Sequence, residues 1–500
     1  MLSRKSLVTT ILFAGVLGGT LFSTPAIAQE DGDPITIGTW RTFESTLLDE
    51  TRRLNIGLPS GYEDSDETYP VLYVLDGPGH FQHTMGLVRF LARNEMMPDM
   101  IVVAVGNTKR TRDMTPPTRD KEFPMASEAG GADDFVKFFR EELFPFIDSE
   151  YRTHDYRVLI GHSFGGLFAI HALVNEPDTF DAYLAISPSL WWDDQLLVER
   201  AEEFFSNNKK LEKTLYMTMG NEGGDMRGGM LKLEGVLTEQ KPSGFEWASR
   251  VMEEETHASV PYRSTRQGLE YIFRHWQLRD ATSLYESGGV DAIYTFFRRA
   301  EKRYGLPRTS PPRIFANLVQ RLADDDRLEE AQAVLEHDVE KFKPSAMHYA
   351  TLAEKYEERG DNEKMIACYT RALELNPADS DVREKLIQNG VDTEALAPKP
   401  AELSADELAE YAGNYEDDQM KLTIELVEDH LELSGIGLPA TPLSVVKKDH
   451  FVMKQPPFEL QFTRDEAGKV TMLKATIGGD TVGEAKRVDT SNAPGRKDGS

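Results

Sequence analysis

The chain has a single cysteine, Cys368, among its 500 residues. It therefore forms no internal disulfide, and its stability must come from packed cores. Basic residues are scarce beside acidic ones, 56 Lys and Arg against 84 Asp and Glu, which sets the net charge at −28. Such a surface argues against nucleic acid and anionic membranes as partners, because phosphate contacts need Lys and Arg. After the first 28 residues no apolar run is long enough to span a bilayer. There is no H-E-x-x-H, no clustered Cys and His, no P-loop and no G-x-G-x-x-G, so no metal, nucleotide or other cofactor is implied.

What is present divides the chain into segments. Arg4 and Lys5 precede the apolar stretch from Leu7 to Phe22, and Ala26-Ile27-Ala28 offers a small-residue cleavage site. Residues 1–28 read as a secretory signal peptide, so the mature chain is expected to be exported, periplasmic or secreted, with a net charge of −30. Residues 29–280 alternate strand and helix. Strands are predicted at Val71–Leu75, Ile101–Val105, Arg157–Ile160, Ala182–Ile186, Thr214–Met219 and Trp247–Met252. Most are continuous apolar runs, the mark of strands buried on both faces of a parallel sheet. Helices are predicted near Phe81–Arg93, Asp133–Ile147, Gly165–Asn175 and Met230–Glu239, and an antiparallel pair around Thr42–Leu48 and Arg52–Leu58 at one edge.

The character changes near Asp280. Residues 281–395 are helical, and 346–377 match a tetratricopeptide repeat. Tyr349, Leu352, Ala353 and Tyr356 lie on its first helix, Gly360 at the turn, Met365, Tyr369 and Ala372 on the second, and Pro377 at the close. The stretch Ile314 to Pro344 reads as a degenerate copy. Val290–Tyr304 and Asp381–Gln388 are expected to cover the open faces of the repeats. The concave face of such repeats is a candidate docking surface for a protein partner. Ala397-Pro398-Lys399-Pro400 is a linker signal, 400–488 alternate as a small antiparallel β domain, and 489–500 read as a disordered tail.

Gly161-His162-Ser163-Phe164-Gly165 carries the chemistry. The G-x-S-x-G lies between a strand-type run and a helix opening, which is the context of a nucleophile elbow. Ser163 is the candidate nucleophile. Its hydroxyl needs a base, and in this topology the order along the chain is Ser, acid, His. His257 follows the last strand and begins a loop, which suits the base; His275, on the next helix, is the alternative. Gly220-Asn221-Glu222-Gly223-Gly224-Asp225 supplies the acid, Glu222 first and Asp225 second, and a Ser-His dyad stays open. The oxyanion is expected to meet the N–H of Phe164 and that of Gly77 or Gly79. Trp191 and Trp192 suit an aromatic wall for substrate or a packing cap; Arg112 suits an anionic substrate group or an ion pair with Asp113. The fold class that follows is α/β: an α/β-hydrolase sheet flanked by helices, then a helical repeat region and a small antiparallel β domain.

Several stretches carry a family resemblance. They are Leu58-Pro59-Ser60-Gly61-Tyr62, Tyr69 to Gly77, Arg112-Asp113-Met114-Thr115-Pro116, the elbow, Ser187-Pro188-Ser189-Leu190-Trp191-Trp192 and Glu255-Thr256-His257. Together they resemble the exported esterases that include the enterochelin (siderophore) esterases, esterase D and the feruloyl esterases. Tyr411-Ala412-Gly413-Asn414-Tyr415 and the strands after it resemble the lipocalin-like β module appended to some exported serine hydrolases. The resemblance implies a serine carboxylic ester hydrolase acting on a small-molecule ester, such as a siderophore or aryl ester, through Ser163 and His257. Two other readings fit the same residues: an acyltransferase sharing the acyl-enzyme, and a repeat-based binding scaffold without catalysis.

Overall fold

The computed structural model describes residues 35–122, 125–308, 312–337, 346–396, 403–417, 421–435, 438–453, 458–465, 467–477 and 480–488. The predicted leader at 1–28, Pro344, the predicted linker at 397–400 and the predicted tail at 489–500 lie outside them. Two compact units form, Pro34–Ser310 and a second containing Pro311–Ser500.

The first unit is built on an eight-stranded sheet. Its strands are β1 (Thr39–Ser45), β2 (Glu50–Gly57), β3 (Tyr69–Val74), β4 (Ile101–Val105), β5 (Thr153–His162), β6 (Ala182–Ile186), β7 (Thr214–Met219) and β8 (Glu246–Val251). Their spatial order is β1-β2-β4-β3-β5-β6-β7-β8. β1, β2 and β4 pair antiparallel, and every other neighbouring pair is parallel. β3, β4, β6 and β7 are buried along their whole length, which is why they read as unbroken apolar runs. From β3 the chain moves outward to β4 and then returns to β5 on the other side. That reversal opens a crevice at the carboxyl ends of β3 and β5, where open α/β sheets place their ligands.

The predicted helix Asp133–Ile147 is found in three parts: Ala132–Lys137, a wide π-type turn over Phe138–Leu143, and Phe144–Glu150. Pro145 has no N–H to give the ladder, and the wider turn accommodates the gap. The helix Trp192–Asn207, which the sequence reading did not anticipate, opens with three left-handed residues, Asp193, Asp194 and Gln195.

The α/β pattern ends near Asp280, but the compact unit continues past it. The helix Ala281–Tyr304, broken at Gly288–Gly289, belongs to the first unit rather than to the repeats. Ala300, Tyr304 and Leu306 join the core on one face of the sheet. The Tyr304 hydroxyl donates to the Ile272 carbonyl at 2.9 Å, and Arg303 holds Glu246 of β8 at 2.6 Å. The cover that Val290–Tyr304 was expected to give the repeats thus goes, at its carboxyl end, to the sheet.

In the second unit the helices Pro312–Asp324 and Leu328–His337 form one pair, and Ala346–Arg359 and Asn362–Leu375 form the next. Tyr349, Leu352, Ala353, Tyr356, Met365, Cys368, Tyr369 and Ala372 are buried, as their repeat positions require. Burial pushes the Cys368 thiol up to about 12, so it is an inert core residue. The β domain is a closed antiparallel barrel of β9 (Gly413–Glu416), β10 (Lys421–Val427), β11 (His430–Gly435), β12 (Leu438–Lys447), β13 (His450–Val452), β14 (Glu459–Arg464), β15 (Val470–Ile477) and β16 (Asp480–Val488). Its interior is filled by side chains such as Tyr411, Tyr415, Phe451, Phe462 and Leu473.

Candidate active site

Ser163 sits between the end of β5 and the helix Phe164–Asn175, with φ 61° and ψ −115°. A non-glycine residue there is strained, and the surroundings must hold it in place. Ser163 N–H donates to Ile186 O of β6 at 2.9 Å, and Ser163 O accepts from Leu167 N–H at 2.9 Å. The glycines make the turn possible. A Cβ on Gly161 would fall on the Gly165 carbonyl, and one on Gly166 would lie 2.9 Å from Ile186 O and the Pro188 Cα. Phe164 is the first residue of the helix, so its N–H has no acceptor within the helix.

Glu222 and His257 meet at the ends of β7 and β8. Glu222 Oε2 lies 2.8 Å from His257 Nδ1. The other carboxylate oxygen accepts from the Ser187 hydroxyl at 2.6 Å and the Gly220 N–H at 3.2 Å. The acid is nearly buried, with 9% of its side chain exposed, while the imidazole is half-exposed at 43%. Gly220 lets the two loops touch: a Cβ there would lie 2.8 Å from Glu255 O. Asn221 N–H also donates to Glu255 O, at 2.6 Å. Asp225 lies instead in the first turn of the helix Gly224–Gln240, exposed, where a negative charge suits the helix end. His275 contacts Glu246, the first residue of β8, at 3.2 Å, at the far end of that strand from His257.

The loop after β3 is rigid. Gly77 opens the helix Gly77–Arg93 and packs so closely on β4 that a Cβ would lie 2.7 Å from the Ala104 carbonyl carbon. Gly79 N–H is already taken by Asp76 O at 3.0 Å, which leaves Gly77 as the freer of the two oxyanion candidates. Arg112 is committed to Asp113 at 2.6 Å and to Glu50 at 2.8 Å; buried Arg52 pairs with the same two carboxylates. The cation that faces the elbow is Arg110, which the sequence reading passed over. Its Nε and Nη2 hold the Asp76 carboxylate at 2.6 and 3.0 Å, and Nη2 donates to His162 O at 3.1 Å. Its guanidinium lies 5.4 Å from the Phe164 ring centre. Burial alone would push the Asp76 carboxyl up, but Arg110 and Asn107 outweigh it and hold the carboxyl below its ordinary range.

A row of imidazoles lines the crevice. His162 lies 4.6 Å from His257 and 5.9 Å from His80, and His80 lies 5.3 Å from His83, centre to centre. Burial, with help from the neighbouring rings, lowers His162 and His83 to about 4, so both are neutral at pH 7. Trp192 is fully buried against Phe164 at 5.7 Å, whereas half-buried Trp191 lies 6.1 Å from the same ring. Trp192 therefore packs beneath the elbow, and Trp191 is the one with a face toward solvent. Among the described residues no group of His, Cys, Asp and Glu is arranged to hold a metal ion. No helix among them is long and apolar enough to cross a membrane.

The chain is similar to known proteins in sequence and fold. Residues 45–259 match the family described as "Putative esterase", and residues 304–418 match a tetratricopeptide repeat family. The ferri-bacillibactin esterase BesA of Bacillus subtilis is 33% identical over 159 residues, 28% of this chain and 55% of that protein. A siderophore enterobactin esterase of Emericella nidulans is 32% identical over 161 residues, 28% of this chain and 53% of that one. The chain thus spans about half the length of these curated relatives. An IroE-like serine hydrolase structure from Shewanella oneidensis is 32% identical, with TM-score 0.49, covering 59% of this chain and 97% of that one. An uncharacterised Capnocytophaga ochracea protein, 18% identical, shares the fold at TM-score 0.52 over 70% of this chain and 98% of its own. Residues 45–259 belong to the esterase family, in a chain that continues into tetratricopeptide repeats and a closed antiparallel barrel.

Proposed function

We propose that the chain is a serine carboxylic ester hydrolase working through an acyl-enzyme. The observation that carries this reading is the 2.8 Å contact between Glu222 and His257 Nδ1 beside a strained serine elbow. The carboxylate fixes the tautomer in which Nδ1 carries the proton, which leaves Nε2 as the basic nitrogen. Nε2 takes the proton of the Ser163 hydroxyl as Oγ attacks the ester carbonyl. The N–H groups of Phe164 and Gly77 receive the developing oxyanion. The imidazolium then protonates the leaving alcohol, and water, deprotonated in turn by His257, releases the acid. His162, neutral at pH 7, puts no like charge beside the imidazolium.

For substrate we propose esters of the siderophore class, on the strength of the named esterases. The leader reading of residues 1–28 favours export of the mature chain, and the repeats suit a protein partner. Fluorophosphonate labelling tests the chemistry: one serine is expected to react, and Ser163→Ala should abolish both labelling and hydrolysis of p-nitrophenyl esters. Labelling that survives Ser163→Ala would remove the nucleophile from this scheme. Assay against ferric siderophores and simple aryl esters then ranks the substrates.

A further inference from the structure

Ser187-Pro188-Ser189 touches both ends of the proposed triad, and its first residue is strained. Ser187 has φ 40°, where glycine is relaxed and a residue with a Cβ is not. It is fully buried, and its N–H donates to Thr218 O of β7 at 2.7 Å. What serine has there and glycine lacks is a hydroxyl, and that hydroxyl donates to Glu222 Oε1 at 2.6 Å. With Oε1 held by Ser187 and the Gly220 N–H, Oε2 is left for His257. A glutamate has one more side-chain torsion than an aspartate, so its carboxylate has more freedom to lose and gains more from a second anchor. The same stretch reaches the nucleophile. Ser189 N–H donates to Ser163 O at 3.2 Å, and the two hydroxyl oxygens are 3.4 Å apart.

We propose that Ser187 is a positioning residue whose hydroxyl clamps Glu222 Oε1 so that Oε2 stays on His257 Nδ1. The strained backbone is retained because it delivers that hydroxyl. This rests on the reading of Ser163, His257 and Glu222 as the triad. The experiment uses Ser187→Gly in the full chain, which relaxes the backbone and removes the hydroxymethyl group; Ser187→Ala deletes the hydroxyl alone. The expected result is a melting temperature close to wild type and an unchanged KM for p-nitrophenyl butyrate. The same variant should lose about 10- to 100-fold in kcat, the worth of a hydrogen bond to a charged group. Ser187→Ala should show the same kcat loss, and it serves if the glycine variant folds poorly. In a Glu222→Gln background, Ser187→Gly should have little further effect, because the clamped charge is gone. Wild-type kcat in both serine variants, or an equal loss with and without Glu222→Gln, overturns the clamp while the triad stands. Wild-type kcat in Glu222→Gln alone overturns the triad acid and the clamp with it.

Discussion

Glycine serves different ends in the esterase unit and in the helical repeats. At four positions around the elbow it stands where a Cβ would strike backbone: Gly77 on Ala104, Gly161 on Gly165, Gly166 on Ile186 and Pro188, Gly220 on Glu255. In the repeats, Gly360 and Gly390 have φ 79° and 78° with open space around them, so they only turn the chain. Strain follows the same division. Asp76, Ser163 and Ser187 about the elbow, and Asp193 to Gln195 at the opening of the helix Trp192–Asn207, have positive φ, whereas in the repeats Asp326 merely ends a helix. One region is crowded and strained where, on the proposed reading, reacting groups from four strand ends converge. The other repeats a relaxed unit whose helices need only pack.

The comparison is broken most directly by removing the convergent groups. His257→Ala should lower kcat by about 10²- to 10⁴-fold with the fold intact, since it removes the proposed general base. Glu222→Gln should come next, and Asp225→Asn should stay near wild type, because Asp225 lies exposed on the helix Gly224–Gln240. Equal, mild losses in the two acid variants would favour a dyad. A larger loss in His275→Ala than in His257→Ala, with both folded, would move the base.

Truncation tests where the crowded region ends. A chain of residues 29–310 should fold and hydrolyse p-nitrophenyl acetate, because it includes Ala300, Tyr304 and Leu306. A chain ending at 280 uncovers the sheet face that they pack on and loses the Arg303–Glu246 contact. It should be soluble only in part and show a lower melting temperature. Full activity and stability in the shorter chain would show that the helix Ala281–Tyr304 is dispensable to the esterase.

The glycines themselves give a smaller effect. Gly161→Ala must displace the Gly165 carbonyl, an overpacking of about 1–3 kcal/mol, and should reduce activity sharply as the elbow shifts. Gly360→Ala meets nothing and pays only for its positive φ, about 1–2 kcal/mol. Urea melts and ester assays on both variants should show a stability loss in each and an activity loss in Gly161→Ala alone.

What the sequence made legible follows from this contrast. β4, β6 and β7 were placed to the residue because buried parallel strands are unbroken apolar runs. The second repeat was legible because its small and aromatic positions recur at fixed offsets. β12 leaves no clear strand pattern because it contains Pro439 and Pro442, which a barrel strand tolerates beside the irregular pairing after Leu433. β16 is faint in the sequence because Asp480, Glu484 and Lys486 dilute its alternation. At the candidate site, the proposed Ser163, Glu222 and His257 stand out in the sequence because each follows a strand end in a fixed chain order. Ser187 and Arg110 do not, because a positive φ and a guanidinium aimed at Asp76 leave no pattern in one dimension. Arg112 was singled out while Arg110, two residues earlier, is the one that reaches the elbow.

The smallest expected effect is on pH dependence, and it too separates the regions. In the esterase unit, burial lowers His83, His162 and His275 to about 4 from an ordinary value of 6.5. In the repeats only His348 is lowered to about 4, again by burial, among the described histidines. A histidine with a lowered folded value stays neutral in the native state while the unfolded chain takes up its proton. Below pH 6.5 the unfolded state therefore binds more protons, and stability falls with pH until the folded value near 4 is reached. Carboxylates held low in the native state, such as Asp76 and Asp193, act mainly below pH 4, so the window from 6.5 to 4 reports chiefly on histidine. Urea melts of the full chain at pH 7, 6 and 5 should show the esterase transition weakening at each step. His83 lies outside the proposed triad, so His83→Asn should keep its hydrolytic activity at pH 7 while flattening that slope. If the wild-type and His83→Asn curves ran parallel across the window, burial of this imidazole would contribute nothing to the acid sensitivity of the crowded unit.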